Sequence, residues 1–412
     1  ARAYSISASS YIFRSTFLLY MAPLTTTHWP RVLTLWLCGV AAAMQFSKVS
    51  FAFQTLQATY GATPAAMGWI LSTVGMVGLV FGVTMGLCAP AIGYRRLLLV
   101  GMGLGAVLAG VQSLEPPFAL LWFTRLLEGV SQLAVVVAAP TLIMQHSAPQ
   151  HRAIAMGLWS TFVGVAFALT AAGGGWVLAH WQLSGLMQVH ALAMALMGAM
   201  VLWLLPRDSA NTQPWPALAS LPQLHARIYS QWATALPGCC FFFYTATAIA
   251  LLTFVPPYAG ADRAWLAVLL PLLSIGGNFL AGWLAQSVMR PSTLVPLAFA
   301  GVAAAGLALG LCLWQGFAIA PVALVLMALV GLAGGAAFAL VPYLSDAPPV
   351  QARATGAVAQ MGNLGSTIGP PVFAYAIAAL GPLGLVLPLL VWALAGLSLA
   401  AWGIRQHQRQ TP

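Results

Sequence analysis

Twelve apolar segments, separated by short polar breaks, follow one another along the chain near 33–58, 65–88, 96–113, 117–144, 153–178, 184–205, 230–257, 264–288, 293–314, 321–344, 355–379 and 383–404. A helix needs about 20 consecutive apolar residues to cross a bilayer. Every backbone N–H and C=O must be satisfied inside lipid, so unbroken apolar runs of this length are read as membrane helices. A membrane barrel is excluded by pattern, because its strands alternate apolar and polar residues. Only 5% of the 412 residues are charged and 61% are hydrophobic, against roughly a quarter charged in soluble domains. Such a chain cannot solvate the surface of a soluble enzyme, a nucleic-acid binder or a secreted domain. The expected fold class is therefore an all-α polytopic membrane protein.

Arginines set the orientation. With the N-terminus in the cytoplasm, Arg31, Arg95, Arg96, Arg152, Arg207, Arg227, Arg290, Arg353, Arg405 and Arg409 all fall on cytoplasmic connections, and Arg263 stands alone on the other side. This is the positive-inside bias. It accounts for the net charge of +10 without nucleic acid and places both termini in the cytoplasm. Residues 1–20 lack the apolar core and cleavage site of a signal peptide and read as an upstream extension. Cys38, Cys88, Cys239, Cys240 and Cys312 have no C-x-x-C spacing and read as core residues, not as disulfides or metal ligands.

The longest break, 206–229, carries Pro206, Arg207, Asp208, Asn211, Pro214, Pro216 and Pro222, a solvated, helix-breaking linker. The expected domains are a cytoplasmic extension 1–30, a first bundle 31–205, the linker 206–229, a second bundle 230–404 and a tail 405–412. The halves echo each other weakly. Pro140 and Arg152 match Pro342 and Arg353 at offsets of 202 and 201. Gly86-Leu87-Cys88-Ala89 before Arg95-Arg96 is echoed by Gly282-Trp283-Leu284-Ala285 before Arg290. Two ordered echoes argue for a six-plus-six duplication.

By span count, central linker and motifs, residues 30–406 resemble the major facilitator superfamily. Its loop signature after the second span, G-x-L-A-D-x-x-G-R-R/K, is matched by Gly86-Leu87-Cys88-Ala89-Pro90-Ala91-Ile92-Gly93-Tyr94-Arg95-Arg96. Gly86, Gly93, Arg95 and Arg96 are kept as gating-loop residues, but Pro90 replaces the aspartate. The fourth-span R-x-x-x-G is Arg125-Leu126-Leu127-Glu128-Gly129. The fifth-span antiporter signature G-x-x-x-G-P is absent after Gly164 and occurs instead in the eleventh span, as Gly365 to Pro370. The resemblance implies two pseudo-symmetric six-helix bundles that rock about a central site lined by spans one, four, seven and ten. It also implies a monomer in a bacterial inner membrane.

Three charges lie deep in the spans: Lys48, the chain's single lysine, with Arg125 and Glu128. Each costs about 2.5–3.5 kcal/mol at the bilayer centre on insertion scales, so they are expected to face one another or an aqueous cavity. Counted from the outer span ends, and at about 1.5 Å per residue, all three fall within a layer ~5 Å thick. Their net charge of +1 suits an anionic group. Read structurally, Arg125 and Glu128 simply pair along one helix. Read functionally, the three line a substrate site with Gln45 and Phe51 of span one, Gln132 of span four, and Tyr244 and Tyr343 of the aromatic second half. Gln360, Asn363, Ser366 and Thr367 read as interhelical hydrogen-bonders. His190, just inside span six, reads as a weak proton-relay candidate.

No paired acid and base, metal ligands or phosphate loop around the single lysine can be assembled, so neither an enzyme nor an ATP-driven pump is expected, and no cofactor. The leading reading is a secondary transporter for a small organic anion with an apolar or aromatic body. It would be proton-coupled through Glu128, the one carboxylate in the spans. Two neighbouring cations hold Glu128 in its charged form, so it would take a proton only after the substrate draws them away. The alternatives are efflux of hydrophobic compounds, weakened by the missing fifth-span motif, and a membrane sensor built on a transporter scaffold.

Overall fold

The computed structural model describes residues 26–208, 215, 221–345 and 347–410. The expectations placed on residues 1–20, on most of the linker and on the end of the tail lie outside the described residues. Within them, all regular structure is helical: α1 (Trp29–Phe51), α2 (Phe53–Tyr60), α3 (Pro64–Ile92), α4 (Tyr94–Gln112), α5 (Phe118–Gln145), α6 (Arg152–Ser160), α7 (Phe162–Leu204), α8 (Leu221–Tyr229), α9 (Trp232–Phe254), α10 (Arg263–Ser287), α11 (Pro291–Gln315), α12 (Ala320–Leu344), α13 (Pro348–Leu380) and α14 (Val386–Gln410), with short 3-10 turns between some of them.

Local sequence sets many of the ends. Pro64 opens α3 behind Thr63, whose side chain accepts the Ala66 N–H at 3.2 Å. Thr63 thereby satisfies one of the orphan donors of the first turn, and proline loses nothing at that position. Gly61 and Gly316 close α2 and α11 at φ 58° and 72°, a conformation that glycine adopts without steric cost. The first span, expected as one helix, is divided at Ala52, whose N–H is shared between Lys48 O and Ser50 O.

Among the described residues, ten helical stretches are long and apolar enough to cross a membrane. Two of them are too long for one crossing. The 43 residues of α7 are broken at Gln182, where φ is 55°, and α13 meets α14 through the 3-10 turn Gly381–Leu385. Both breaks are consistent with twelve crossings. Helices α1 to α7 pack on one another, α9 to α14 do the same, and the two bundles meet chiefly through α3 with α13 and α7 with α10.

Small residues permit those approaches, since lipid supplies no hydrophobic drive between helices. A Cβ on Gly75 would collide with the Ser366 and Thr367 hydroxyls, and one on Gly78 with the Asn363 amide. Gly365 and Gly369, the displaced G-x-x-x-G, bring α13 onto the α9 backbone near Phe242 and Ala246. At the end away from the arginines the halves are joined. Ser50 Oγ lies 2.7 Å from Thr253 Oγ1, and the Phe53 and Phe254 rings meet edge-on at 5.0 Å. Towards the arginine-rich end, Gln360 Nε2 donates across to Leu79 O at 3.3 Å. Beyond that bond, the Cβ positions of Gly82 and Gly86 have nothing within 4 Å.

Of the polar set in the eleventh span, Gln360 does bond between helices, accepting from Tyr229 Oη at 2.8 Å. Asn363, Ser366 and Thr367 instead bond to carbonyls of their own helix, at Ala359 and Asn363. A hydroxyl or amide one turn on from a carbonyl reaches it more cheaply than it reaches a neighbouring helix.

Candidate functional site

Lys48 comes from the last turn of α1, Arg125 and Glu128 from one face of α5, Gln112 from the end of α4, and His190 from the second arm of α7. All five are buried, none more than 3% exposed. Lys48 Nζ donates to Gln112 Oε1 at 2.7 Å, to Glu128 Oε1 at 2.7 Å and to His190 Nδ1 at 3.0 Å. An ammonium has three donors, so Lys48 is saturated. Arg125 Nη1 donates to Glu128 Oε2 and, at 2.8 Å, to Gln45 O, and its Nε donates to Ile70 O at 3.2 Å. Each carboxylate oxygen of Glu128 therefore carries its own cation.

This pattern answers the desolvation cost of burying charge, which is recovered only when every ion is paired and hydrogen-bonded. A second ring of polar groups holds the first. Gln45 Nε2 donates to Ser131 Oγ at 2.9 Å, and Ser131 Oγ donates to Gly101 O at 2.7 Å. Gln112 Nε2 donates to Thr124 Oγ1 at 3.2 Å. His190 Nε2 lies 3.0 Å from Ala41 O. Because Nδ1 accepts from the ammonium, the ring proton is assigned to Nε2 and the imidazole is neutral. The cluster retains its charge of +1.

The structure thus brings Lys48, Arg125, Glu128 and Gln45 together, inside the first bundle. The other expected site residues make no hydrogen bond to this cluster. The Phe51 ring packs against Gly174 of α7. Gln132 is buried, with no bond to its Oε1. The Tyr244 ring lies against Gly334 of α12, and its hydroxyl is 3.5 Å from Asn278 Nδ2. Tyr343 is 39% exposed and accepts from Ser292 Oγ at 3.0 Å. Phe241 and Phe338 pack edge-to-face with centroids 4.9 Å apart.

His190 and Gln112 are the partners that sequence reasoning missed. Their signal was present: each is a polar side chain in an apolar run. Asp208 was missed as well. It approaches from the linker and accepts the N–H groups of Arg95 and Arg96 at 3.0 and 2.9 Å. That carboxylate serves the loop whose motif aspartate is replaced by Pro90. Gly93, at φ 94°, makes room for it, since a Cβ there would stand 2.6 Å from Asp208 Oδ2.

Two helical membrane bundles, the first of them enclosing a buried ion cluster, form a polytopic membrane scaffold of the kind membrane transporters use. The sequence pattern of the Major Facilitator Superfamily matches residues 35–370, and the chain belongs to that family. It is 26% identical over 358 residues to the 3-(3-hydroxy-phenyl)propionate transporter of Escherichia coli (strain K12), covering 82% of this chain and 85% of the relative. Among solved structures, a bacterial homologue of the human lysosomal transporter Spinster, inward-facing and occupied, matches with a TM-score of 0.66 at 16% identity, over 91% of this chain and 92% of that one. The same homologue, inward-facing and unoccupied, matches with a TM-score of 0.65 at 16% identity, over 92% of each chain. These structures share the fold.

Proposed function

We propose that this transporter moves a small organic anion with an apolar or aromatic body by alternating access, with protons as the coupling ion. The observation that carries the reading is the charge of the buried cluster. Lys48 and Arg125 face one carboxylate, and two of the three partners of Lys48 are neutral. A substrate carboxylate can replace a neutral partner and pair with the ammonium, gaining a charge-assisted bond where a neutral one stood. The likeness to a carrier named for an aromatic acid supports the same class. Phe241, Tyr244 and Phe338 of the second half would receive the apolar body. The arginine distribution supports cytoplasmic termini, and the reading places the carrier in a bacterial inner membrane as a monomer.

Proteoliposomes test this. The wild-type protein should exchange labelled phenylpropionate-type anions and concentrate them under a proton gradient. Lys48→Ala should lose both activities. Normal anion transport by Lys48→Ala would remove the cluster from the substrate path. Export of hydrophobic compounds with no anion exchange would favour the efflux reading.

A further inference from the structure

His190 stands outside the reading above, yet it completes the ammonium on which that reading rests. We propose that His190 takes the coupled proton, at Nδ1, when the anion draws Lys48 out of the cluster. The inference rests on anion transport and adds the seat of the proton.

The geometry separates His190 from Glu128. In the closed cluster the Nδ1 lone pair is filled by the Lys48 ammonium at 3.0 Å, and the ring is anchored through Nε2 on Ala41 O at 3.0 Å. A second ring proton has no place there, because it would set two N–H donors against each other and put another cation beside Lys48. The charged groups around the imidazole are Lys48 from α1 and Arg125 and Glu128 from α5, while α4 presents the uncharged Gln112. Once a substrate carboxylate pairs with Lys48, Nδ1 is left bare beside a carboxylate that has lost one of its two cations.

A proton delivered from water then adds to Nδ1. It breaks only the O–H bond of the hydronium that delivers it and leaves imidazolium and water. The charges balance. Before loading, two cations and one carboxylate sum to +1. After loading, the anion neutralises Lys48, the imidazolium takes its place, and the cluster is again +1. One proton accompanies one monovalent anion. Glu128 is the weaker candidate, because Arg125 stays on its Oε2 when Lys48 leaves. Arg125 is itself anchored on Ile70 O and Gln45 O.

His190→Gln tests the assignment. Glutamine can accept from Lys48 through Oε1 and donate to Ala41 O through Nε2, but it takes no proton. In proteoliposomes, exchange of preloaded anion should slow several-fold while proton-driven accumulation falls by more than about tenfold, a split that a merely positional role would not produce. A His190→Gln protein that accumulates the anion like the wild type, or that loses exchange and accumulation in equal measure, overturns the proposal and leaves anion transport standing. A wild type that does not exchange the anion overturns the transport reading and this one with it. The intact wild type gives a second readout if the variant fails to fold. In a spectrum of 15N-ring-labelled histidines, adding phenylpropionate should convert one imidazole from the neutral Nε2–H form to imidazolium. No conversion on anion binding overturns the assignment.

Discussion

Asp208 Oδ2 accepts the backbone N–H of Arg96 at 2.9 Å, across 112 residues of chain. The linker thus caps the first turn of α4 with a carboxylate, at the helix end where negative charge is stabilised. Asp208→Ala should lower stability by about 1 kcal/mol, the usual worth of a cap, and Asp208→Asn by less. Thermal unfolding of the purified proteins measures both. Equal stability of all three would mean that the cap contributes nothing.

The charge balance of the cluster ranks its variants. Lys48→Ala leaves Arg125 and Glu128 as a neutral pair. Glu128→Gln leaves two buried cations with no carboxylate, the situation that costs about 3–5 kcal/mol when a buried partner is removed. Glu128→Gln should therefore be the less stable protein. Lys48→Arg should keep more binding than Lys48→Ala but less than the wild type, since a planar fork replaces a compact point charge. Thermal shifts with and without anion check the order.

Ser50 and Thr253 join the two halves with their hydroxyl oxygens 2.7 Å apart. A Ser50→Cys, Thr253→Cys pair, made in a background without the native cysteines, should form a disulfide across them. Oxidation should arrest transport and reduction restore it, because the proposed alternating access requires this end to open. Full transport by the oxidised protein would exclude opening at this contact.

The proposed orientation, with the arginine-rich side in the cytoplasm, can be tested by labelling. A cysteine at position 262 should label from outside sealed cells and one at position 152 should not. The reverse pattern would invert the topology.

The ion cluster was partly legible in the sequence. Buried charges have few partners, so three of them at one depth in two spans were expected to face one another or an aqueous cavity, and Lys48, Arg125 and Glu128 face one another. Gln45, one turn from Lys48, joins them through its carbonyl. The aromatic candidates were less legible. Phe51 turns to Gly174 and Tyr343 to the surface, although both lie on spans assigned to the centre.

The sequence by itself determined the membrane fold, the breaks between spans and the side expected to carry the arginines, because hydrophobicity and loop charge are local quantities that add along the chain. Only the tertiary structure decided that His190 completes Lys48, that Gln112 bonds it from α4, and that Asp208 caps the N–H groups of Arg95 and Arg96. These helices are apolar on nearly every side, so their pattern leaves their rotation undefined. Which face turns inward is settled by packing against other helices, and that packing chooses the partners of each buried polar group.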